Sequence, residues 1–214
     1  MSGENLHTLS GHTNIVYCLS FNNPYGDRVA TGSFDKTAKI WSVDEGKCLL
    51  TLRGHQEEIV SLSFEPQGNV LATGSMDHTA KLWDLESGTM ILDLNGHTGE
   101  VISLNFTSEG DRVITGSFDG TAKIWDTRTG YCIMTFEDHT EEISNAIFEF
   151  SGEYAATSSL DKTVWLWDLR QGNCIWCFDD HSDEVLDISF NPTGTLLASA
   201  SADNQAILYS VGEA

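Results

Sequence analysis

Basic residues are scarce in this sequence. Eleven lysines and arginines stand against 32 aspartates and glutamates, so the net charge of the 214 residues is −21. The few cations are scattered and do not form a cluster. Because such a surface repels a phosphate backbone, we expect no nucleic-acid partner, and an acidic membrane surface is disfavoured for the same reason.

Long apolar runs are also missing. No stretch approaches the roughly 20 apolar residues of a transmembrane helix, and residues 1–5 (Met-Ser-Gly-Glu-Asn) lack the basic and apolar regions of a signal peptide. Cysteine occurs five times, an odd number, and Cys48, Cys132 and Cys174 occupy one position of a repeat. These features predict a reduced, cytoplasmic protein whose cysteines pack and do not form a disulfide framework.

The sequence does contain an internal repeat. A Ser-x-Asp segment followed by an aromatic residue recurs five times. Consecutive aromatic residues are 42 positions apart, as in 83 − 41 = 42. They are Trp41, Trp83, Trp125, Trp167 and Tyr209. The interval leaves no segment outside the repeat, so we expect one domain over residues 1–214, with repeats of about 4–46, 47–88, 89–130, 131–172 and 173–214.

Each repeat shows the pattern of four short strands. In the first, residues 15–21 alternate apolar side chains with period 2, and residues 28–33, 37–41 and 47–52 are further strands separated by turns rich in Gly, Asn and Asp. Helix signals are absent. The regular spacing of strands and turns predicts an all-β protein.

A repeat of this length, with Gly-His near one end and Trp-Asp near the other, resembles the WD40 family. The resemblance implies a β-propeller of five four-stranded repeats, either a closed five-bladed ring or part of a larger seven- or eight-bladed propeller. We favour the second interpretation. Residues 4–9 match the fourth strand of a repeat, so we also expect them to complete the last sheet, which would otherwise be one strand short.

One histidine, serine, aspartate and tryptophan recur in each repeat. We expect the aspartate to accept a hydrogen bond from the histidine ring, and the ring to be linked through the serine hydroxyl to the indole N–H, which would satisfy buried polar groups. Five copies favour an architectural role over a catalytic triad, and WD40 blades resemble this arrangement. The predicted structural tetrads are His12, Ser33, Asp35, Trp41; His55, Ser75, Asp77, Trp83; His97, Ser117, Asp119, Trp125; His139, Ser159, Asp161, Trp167; and His181, Ser201, Asp203, with Tyr209 weakening the last.

Few residues remain for chemistry. Five of the seven histidines belong to the tetrads, and His7 and His78 do not form a pair with metal-ligand spacing. Cys174 and Cys177 form a CxxC, but positions three apart on a regular strand point to opposite faces. We therefore predict no catalytic residues, no metal, no cofactor and no small-molecule substrate.

Acidic residues follow the histidines. In a propeller their turns would share one end of the channel, where they form either a solvated charged rim or a landing site for a basic segment of a partner protein. The candidate rim residues are Glu57, Glu58, Glu100, Glu141, Glu142, Asp183 and Glu184. The first repeat differs, since Asn14 and Ile15 stand at the two acidic positions.

Details of the first two repeats resemble a narrower family, the dynein assembly factors with WD repeats. The residues concerned are Phe21 to Asp27, Ala30 to Thr37, Trp41-Ser42-Val43, Gly46-Lys47-Cys48 and Ala72 to Asp77. The resemblance implies an internal portion of an adaptor for assembly and intraflagellar transport of outer-arm dynein, with axonemal dynein and transport-particle subunits as partners and the cilium or flagellum and its base as location. The alternative is a general WD40 scaffold, such as a ubiquitin-ligase substrate receptor or a signalling platform. An enzyme ranks third, because the residue inventory holds no unpaired nucleophile, base or metal cluster.

Overall fold

The computed structural model describes residues 3–212, and within this range it contains 19 strands and no helix. The first sheet consists of β1 (Val16–Phe21), β2 (Arg28–Ser33), β3 (Thr37–Ser42) and β4 (Cys48–Arg53). The second consists of β5 (Ile59–Phe64), β6 (Val70–Ser75), β7 (Thr79–Asp84) and β8 (Thr89–Asn95). The third consists of β9 (Val101–Phe106), β10 (Arg112–Ser117), β11 (Ala122–Asp126) and β12 (Cys132–Phe136). The fourth consists of β13 (Ile143–Phe148), β14 (Tyr154–Ser159), β15 (Val164–Asp168) and β16 (Asn173–Phe178), and the fifth of β17 (Val185–Phe190), β18 (Leu196–Ser201) and β19 (Ala206–Ser210).

Strands pair antiparallel with their neighbours in the chain, which confirms the all-β prediction. The turn between the second and third strand of each sheet needs one residue in the left-handed region, at φ values of 68 to 79°. Glycine, which adopts this conformation without steric cost, occupies the position only in the third sheet. The five turn residues are Lys36, His78, Gly120, Lys162 and Asn204.

Apolar side chains between neighbouring sheets form the core. The first strands of consecutive sheets contact one another (β1 with β5, β5 with β9, β9 with β13, and β13 with β17), so they are the inner strands. A glycine on the second strand permits this close approach, since a methyl group on Gly116 would come within 2.6 Å of Ile143. Each apolar cluster therefore belongs to two sheets at once. Between the first and second sheets the cluster includes Ala30, Ala38, Ile40, Leu52, Ile59, Phe64, Leu71 and Trp83.

The two ends of the array differ from the expectation. The fifth sheet has three strands, and residues 3–15 form none, so the prediction that residues 4–9 complete the last sheet is wrong. This segment lies against the first sheet instead, where His7 Nε2 donates to the Asp44 carbonyl at 3.0 Å. Within residues 3–212 the structure shows no closure of the ring, and Glu213 and Ala214 lie outside the described residues, as do Met1 and Ser2.

Candidate functional site

A hydrogen-bonded network links the turn after each histidine to the turn between the second and third strands. In the third sheet, His97 Nδ1 donates to Asp119 Oδ2 at 2.9 Å, because a carboxylate can only accept. Thr115 Oγ1 lies 2.7 Å from His97 Nε2 and 2.9 Å from Trp125 Nε1. Since the indole N–H can only donate, the threonine hydroxyl accepts from the indole and donates to the imidazole.

The bridging hydroxyl differs from the predicted one. In the first four sheets the bridge is the threonine two positions before the predicted serine, namely Thr31, Thr73, Thr115 and Thr157. In the fifth sheet, Ser199 at the same position bonds to His181. The predicted serines have another role. In the second sheet, Ser75 Oγ accepts from the Asp77 N–H at 3.1 Å and donates to the Glu57 carbonyl at 3.2 Å, so it ties the two turns together.

Each aspartate has several donors. Asp119 accepts from His97 and the Thr98 N–H through Oδ2, and from the Thr121 N–H and hydroxyl through Oδ1. Burial by itself would raise the pKa of Asp119, but these hydrogen bonds and the His97 ring hold that pKa well below its usual range. The pKa values of Asp35, Asp77 and Asp161 are lowered in the same way. The ionised carboxylate is therefore the form that the fold stabilises.

The fifth sheet has the least complete network. Ser199 replaces threonine, and Gln205 replaces the threonine that donates to the other aspartates. Tyr209 stacks on Phe178 with ring centroids 4.1 Å apart, as Trp167 stacks on Phe136. Its hydroxyl is buried and makes no hydrogen bond to any described residue. A buried, unpaired hydroxyl is unfavourable, which is consistent with the prediction that tyrosine weakens this network.

The hydroxyl assignment can be tested by comparing Thr115→Val with Ser117→Ala. Thr115→Val removes the partner of both His97 Nε2 and the Trp125 N–H, so we expect it to lower the free energy of unfolding by about 2–3 kcal/mol. Ser117→Ala removes one bond, from the Asp119 N–H, and should lower it by about 1 kcal/mol. Urea denaturation measures both.

Thr115→Ser is the matched control, because the fifth sheet already uses serine at this position. It should recover most of the stability that Thr115→Val loses. Equal losses for Thr115→Val and Ser117→Ala would refute the threonine bridge.

The acidic rim residues lie on the turns that these networks anchor. The Phe118 and Leu160 N–H groups bond to the carbonyls of Glu100 and Glu142 at 2.9 and 3.0 Å, so the main chain of each turn is fixed. Glu100 and Glu142 themselves are half-buried. Among residues 3–212, Glu57 alone of the seven rim residues forms an ion pair, with Lys36 Nζ at 2.9 Å. Because the inner strands contact one another and all start at this end, the turns that precede them lie at one end of the array.

The CxxC differs from the sequence interpretation. In β16 the register shifts so that Trp176 pairs with Leu166 and Cys174 pairs with Trp167, and the bulge turns positions three apart toward the same side. Cys48 shows this directly, since its Sγ lies 3.7 Å from the hydroxyl of Thr51, which is the equivalent of Cys177. The argument that the two thiols cannot converge is therefore wrong. Burial raises the pKa of both thiols, and no group of three or more metal-ligating side chains occurs in the described part of the chain.

A second surface was not predicted. Opposite the rim, where the inner strands end, lies a cavity of about 460 Å³. Its lining includes Phe64, Phe106, Phe148 and Phe190, with Pro66, Pro192 and the exposed Phe150 at its edge. The recurring Phe at the end of each inner strand was a signal for the apolar wall. Nothing in the repeat indicated Phe150.

No helix among the described residues has the length and apolar character needed to cross a membrane. This finding agrees with the absence of long apolar runs in the sequence.

Comparison with known proteins identifies the repeat. The model of the family described as "WD domain, G-beta repeat" matches residues 3–42, 46–84, 88–126, 130–168 and 172–210. The chain is similar to WD repeat-containing protein pop2 of Schizosaccharomyces pombe, at 45% identity over 29% of this chain and 8% of that protein. It is also similar to Dynein assembly factor with WD repeat domains 1 of Danio rerio and of Homo sapiens, at 54% identity over 31% of this chain and 16% of each. The chain thus matches only a small fraction of the length of these curated relatives.

Proposed function

The chain belongs to the WD domain, G-beta repeat family, a family of protein-interaction scaffolds, and from this premise we propose that it is an adaptor for outer-arm dynein. In this role it would present its turns to subunits of axonemal dynein and of intraflagellar transport particles during assembly of motile cilia. It would work by binding, without catalysis, in the cytoplasm and at the cilium or flagellum and its base. The similarity to the dynein assembly factors over part of the chain supports this choice of partner.

One observation supports a particular binding surface. The rim residues come from four turns that have the same main-chain anchoring, and six of the seven make no ion pair with a described residue. Like charges held together on a rigid support produce a field that attracts an oppositely charged partner and orients it before contact. We therefore assign the rim to a Lys- and Arg-rich segment of the partner protein.

Charge reversal on the rim tests the proposal. The triple variant Glu100→Lys, Glu142→Lys and Glu184→Lys should capture at least about tenfold less dynein or transport-particle subunit from an extract of ciliated cells, because repulsion replaces attraction. Its melting temperature should stay close to that of the parent, since these side chains make no hydrogen bond or ion pair to a described residue. Immunoblotting of dynein and transport-particle subunits after pull-down measures the capture.

A matched control has the same change in net charge at the opposite end of the sheets. Asp44→Lys, Glu86→Lys and Glu109→Lys alter three exposed carboxylates there and should leave capture unchanged. Unaltered capture by the rim variant would rule out the rim. If neither the parent nor the control variant captured any dynein or transport-particle subunit, the general scaffold, such as a ubiquitin-ligase substrate receptor or a signalling platform, would replace the dynein adaptor.

A further inference from the structure

A smaller cavity lies between the second and third sheets, at the end opposite the rim. Its volume is about 270 Å³, and both of its walls belong to sheets inside the array. Apolar side chains line part of it, namely those of Val70, Ile91 and Phe106. Its carboxylates are those of Glu65, Glu109 and Asp111, and within residues 3–212 no lysine or arginine lines it. The cavity therefore has an excess of negative charge.

Glu65 is the buried carboxylate of this cavity. It follows β5 directly and is only 8% exposed. Its main-chain N–H and carbonyl bond within their own turn, but its carboxylate makes no hydrogen bond or ion pair with any residue in the described range 3–212. A methyl group on Gly110 would come within 2.8 Å of Glu65 Oε1, so the carboxylate lies over the turn between β9 and β10. Burial of a carboxylate without a partner is unfavourable, so folding alone does not account for Glu65.

The equivalent residues of the other four sheets all have partners. Glu149 is the matched case. Like Glu65, it lies against a glycine of the following sheet, but its Oε2 accepts from the N–H and the hydroxyl of Ser151. Gln67 stands in the second sheet where Ser151 stands in the fourth, so Glu65 lacks this partner. The remaining three equivalents each bond to their own turn; they are Asn22, Thr107 and Asn191.

The surroundings of Glu65 indicate what kind of cation would pair with it. No group of three or more metal-ligating side chains occurs in the described part of the chain, so the carboxylates are not placed to share a metal ion. Asp111 is already paired, with Arg112 Nε 3.4 Å from its Oδ2. The volume is below the roughly 300–1,000 Å³ of pockets for small-molecule ligands. A single side chain with an apolar stem and a cationic head matches both the apolar wall and Glu65.

We propose that this cavity, which we call the Glu65 pocket, binds the side chain of an arginine from a partner protein. The guanidinium pairs with the Glu65 carboxylate, and the methylene groups lie along Ile91 and Phe106. Arginine suits the pocket better than lysine, because its planar group can donate to both carboxylate oxygens at once and is less strongly hydrated than an ammonium group. The side-chain carbonyls of Gln67 and Asn69, which also line the pocket, can accept its other N–H groups.

Titration of the 214-residue chain with Nα-acetylarginine methylamide, followed by amide NMR spectra, tests the proposal. Nα-acetylcitrulline methylamide is the control ligand, since it has nearly the same shape and no charge. We expect the arginine probe to shift the signals of Gly110 and Asn69 to saturation and the citrulline probe to leave them in place. Equal shifts with both probes, or no saturable shift with arginine, would overturn the proposal.

Two isosteric variants separate binding from a structural role. Glu65→Gln should weaken binding of the arginine probe at least about tenfold, because it removes the charge that pairs with the guanidinium. Its midpoint of urea denaturation should not fall, since no hydrogen bond within the described residues is lost. Glu149→Gln is the matched control: it should bind the probe like the parent and have a lower midpoint, because the bonds from Ser151 are weaker to an uncharged group. Equal losses of stability in the two variants would mean that Glu65 supports the fold.

Gln67→Ser gives Glu65 the partner that Glu149 already has. We expect a higher midpoint of urea denaturation and weaker binding of the arginine probe, since the serine hydroxyl competes for the carboxylate. Calcium chloride, titrated in the same way, tests the alternative of a metal ion. If calcium shifted the Gly110 and Asn69 signals to saturation and the arginine probe did not, the arginine assignment would be wrong. The inference is independent of the dynein proposal, because it concerns another surface and another ligand.

Discussion

Replacing Asp119 by alanine is expected to lower the free energy of unfolding by about 2–4 kcal/mol. The carboxylate accepts four hydrogen bonds, from His97, the Thr98 N–H, and the N–H and hydroxyl of Thr121. Alanine leaves these donors without partners, and the buried His97 ring cannot turn to water. Urea denaturation followed by tryptophan fluorescence measures the loss. A denaturation curve that matched the parent would mean that the network does not support the fold.

Asp203→Ala is the matched control within the chain. Asp203 accepts three hydrogen bonds, because Gln205 contributes only its N–H, and its sheet has one uncovered face. We therefore expect a smaller loss than for Asp119→Ala. A larger loss would contradict the conclusion that the network of the fifth sheet is the least complete of the five.

The effect of Asp119→Ala should also depend on pH. The folded protein holds the pKa of Asp119 below its usual range, so the unfolded chain binds the proton first as the pH falls. The stabilisation is fully present above the ordinary aspartate pKa of about 3.9 and is lost progressively below it. The difference between parent and variant should thus be constant from about pH 5 to 7 and shrink below about pH 4, as thermal melts at each pH would show.

Trp83→Ala is expected to lower the free energy of unfolding by about 3–5 kcal/mol, the largest effect of any single change considered. Trp83 is almost completely buried in the cluster between the first and second sheets, together with Ile40 and Leu52. Its removal leaves a cavity between two sheets and also removes the donor to Thr73 Oγ1 at 2.8 Å. Chemical denaturation, with fluorescence of the remaining tryptophans, measures the effect.

Two further variants separate packing from hydrogen bonding. Trp83→Phe keeps much of the apolar volume and loses the N–H, so it should lower the free energy of unfolding by about 1–2 kcal/mol. Trp176→Ala removes an exposed side chain on an outer strand and should change stability by less than about 0.5 kcal/mol. If Trp83→Ala behaved like Trp176→Ala, the core assigned between the sheets would be wrong.

Much of the fold and part of the site could be read from the sequence. The step of 42 residues, with its alternating apolar positions and Gly- and Asp-rich turns, predicted the strands, because these signals act within a few residues of each other. The histidine, aspartate and tryptophan of each network were also identifiable, since each recurs once per repeat. The rim as a binding surface remains a prediction.

The bridging hydroxyl shows where this reading failed. Thr31 and Ser33 are two residues apart on β2, so both point to the same face, and both recur in the repeat. Only the pairing of β2 with β3, which places Val29 opposite Trp41 and Thr31 opposite Lys39, brings the indole N–H to the threonine. A register between strands cannot be read from the composition of one strand.

The sequence by itself determined the strands, the turns and the repeated polar residues, because the same short-range interactions recur in every repeat. The tertiary structure alone decided three other features: which hydroxyl joins each network, that the β16 bulge brings Cys174 and Cys177 to one side, and that residues 4–9 lie on the first sheet. Each of these depends on how a strand or segment pairs or packs with its neighbour, which the residues of one strand do not specify. At the two terminal sheets one such neighbour is missing, so residues of the same type that are buried inside the array become exposed there.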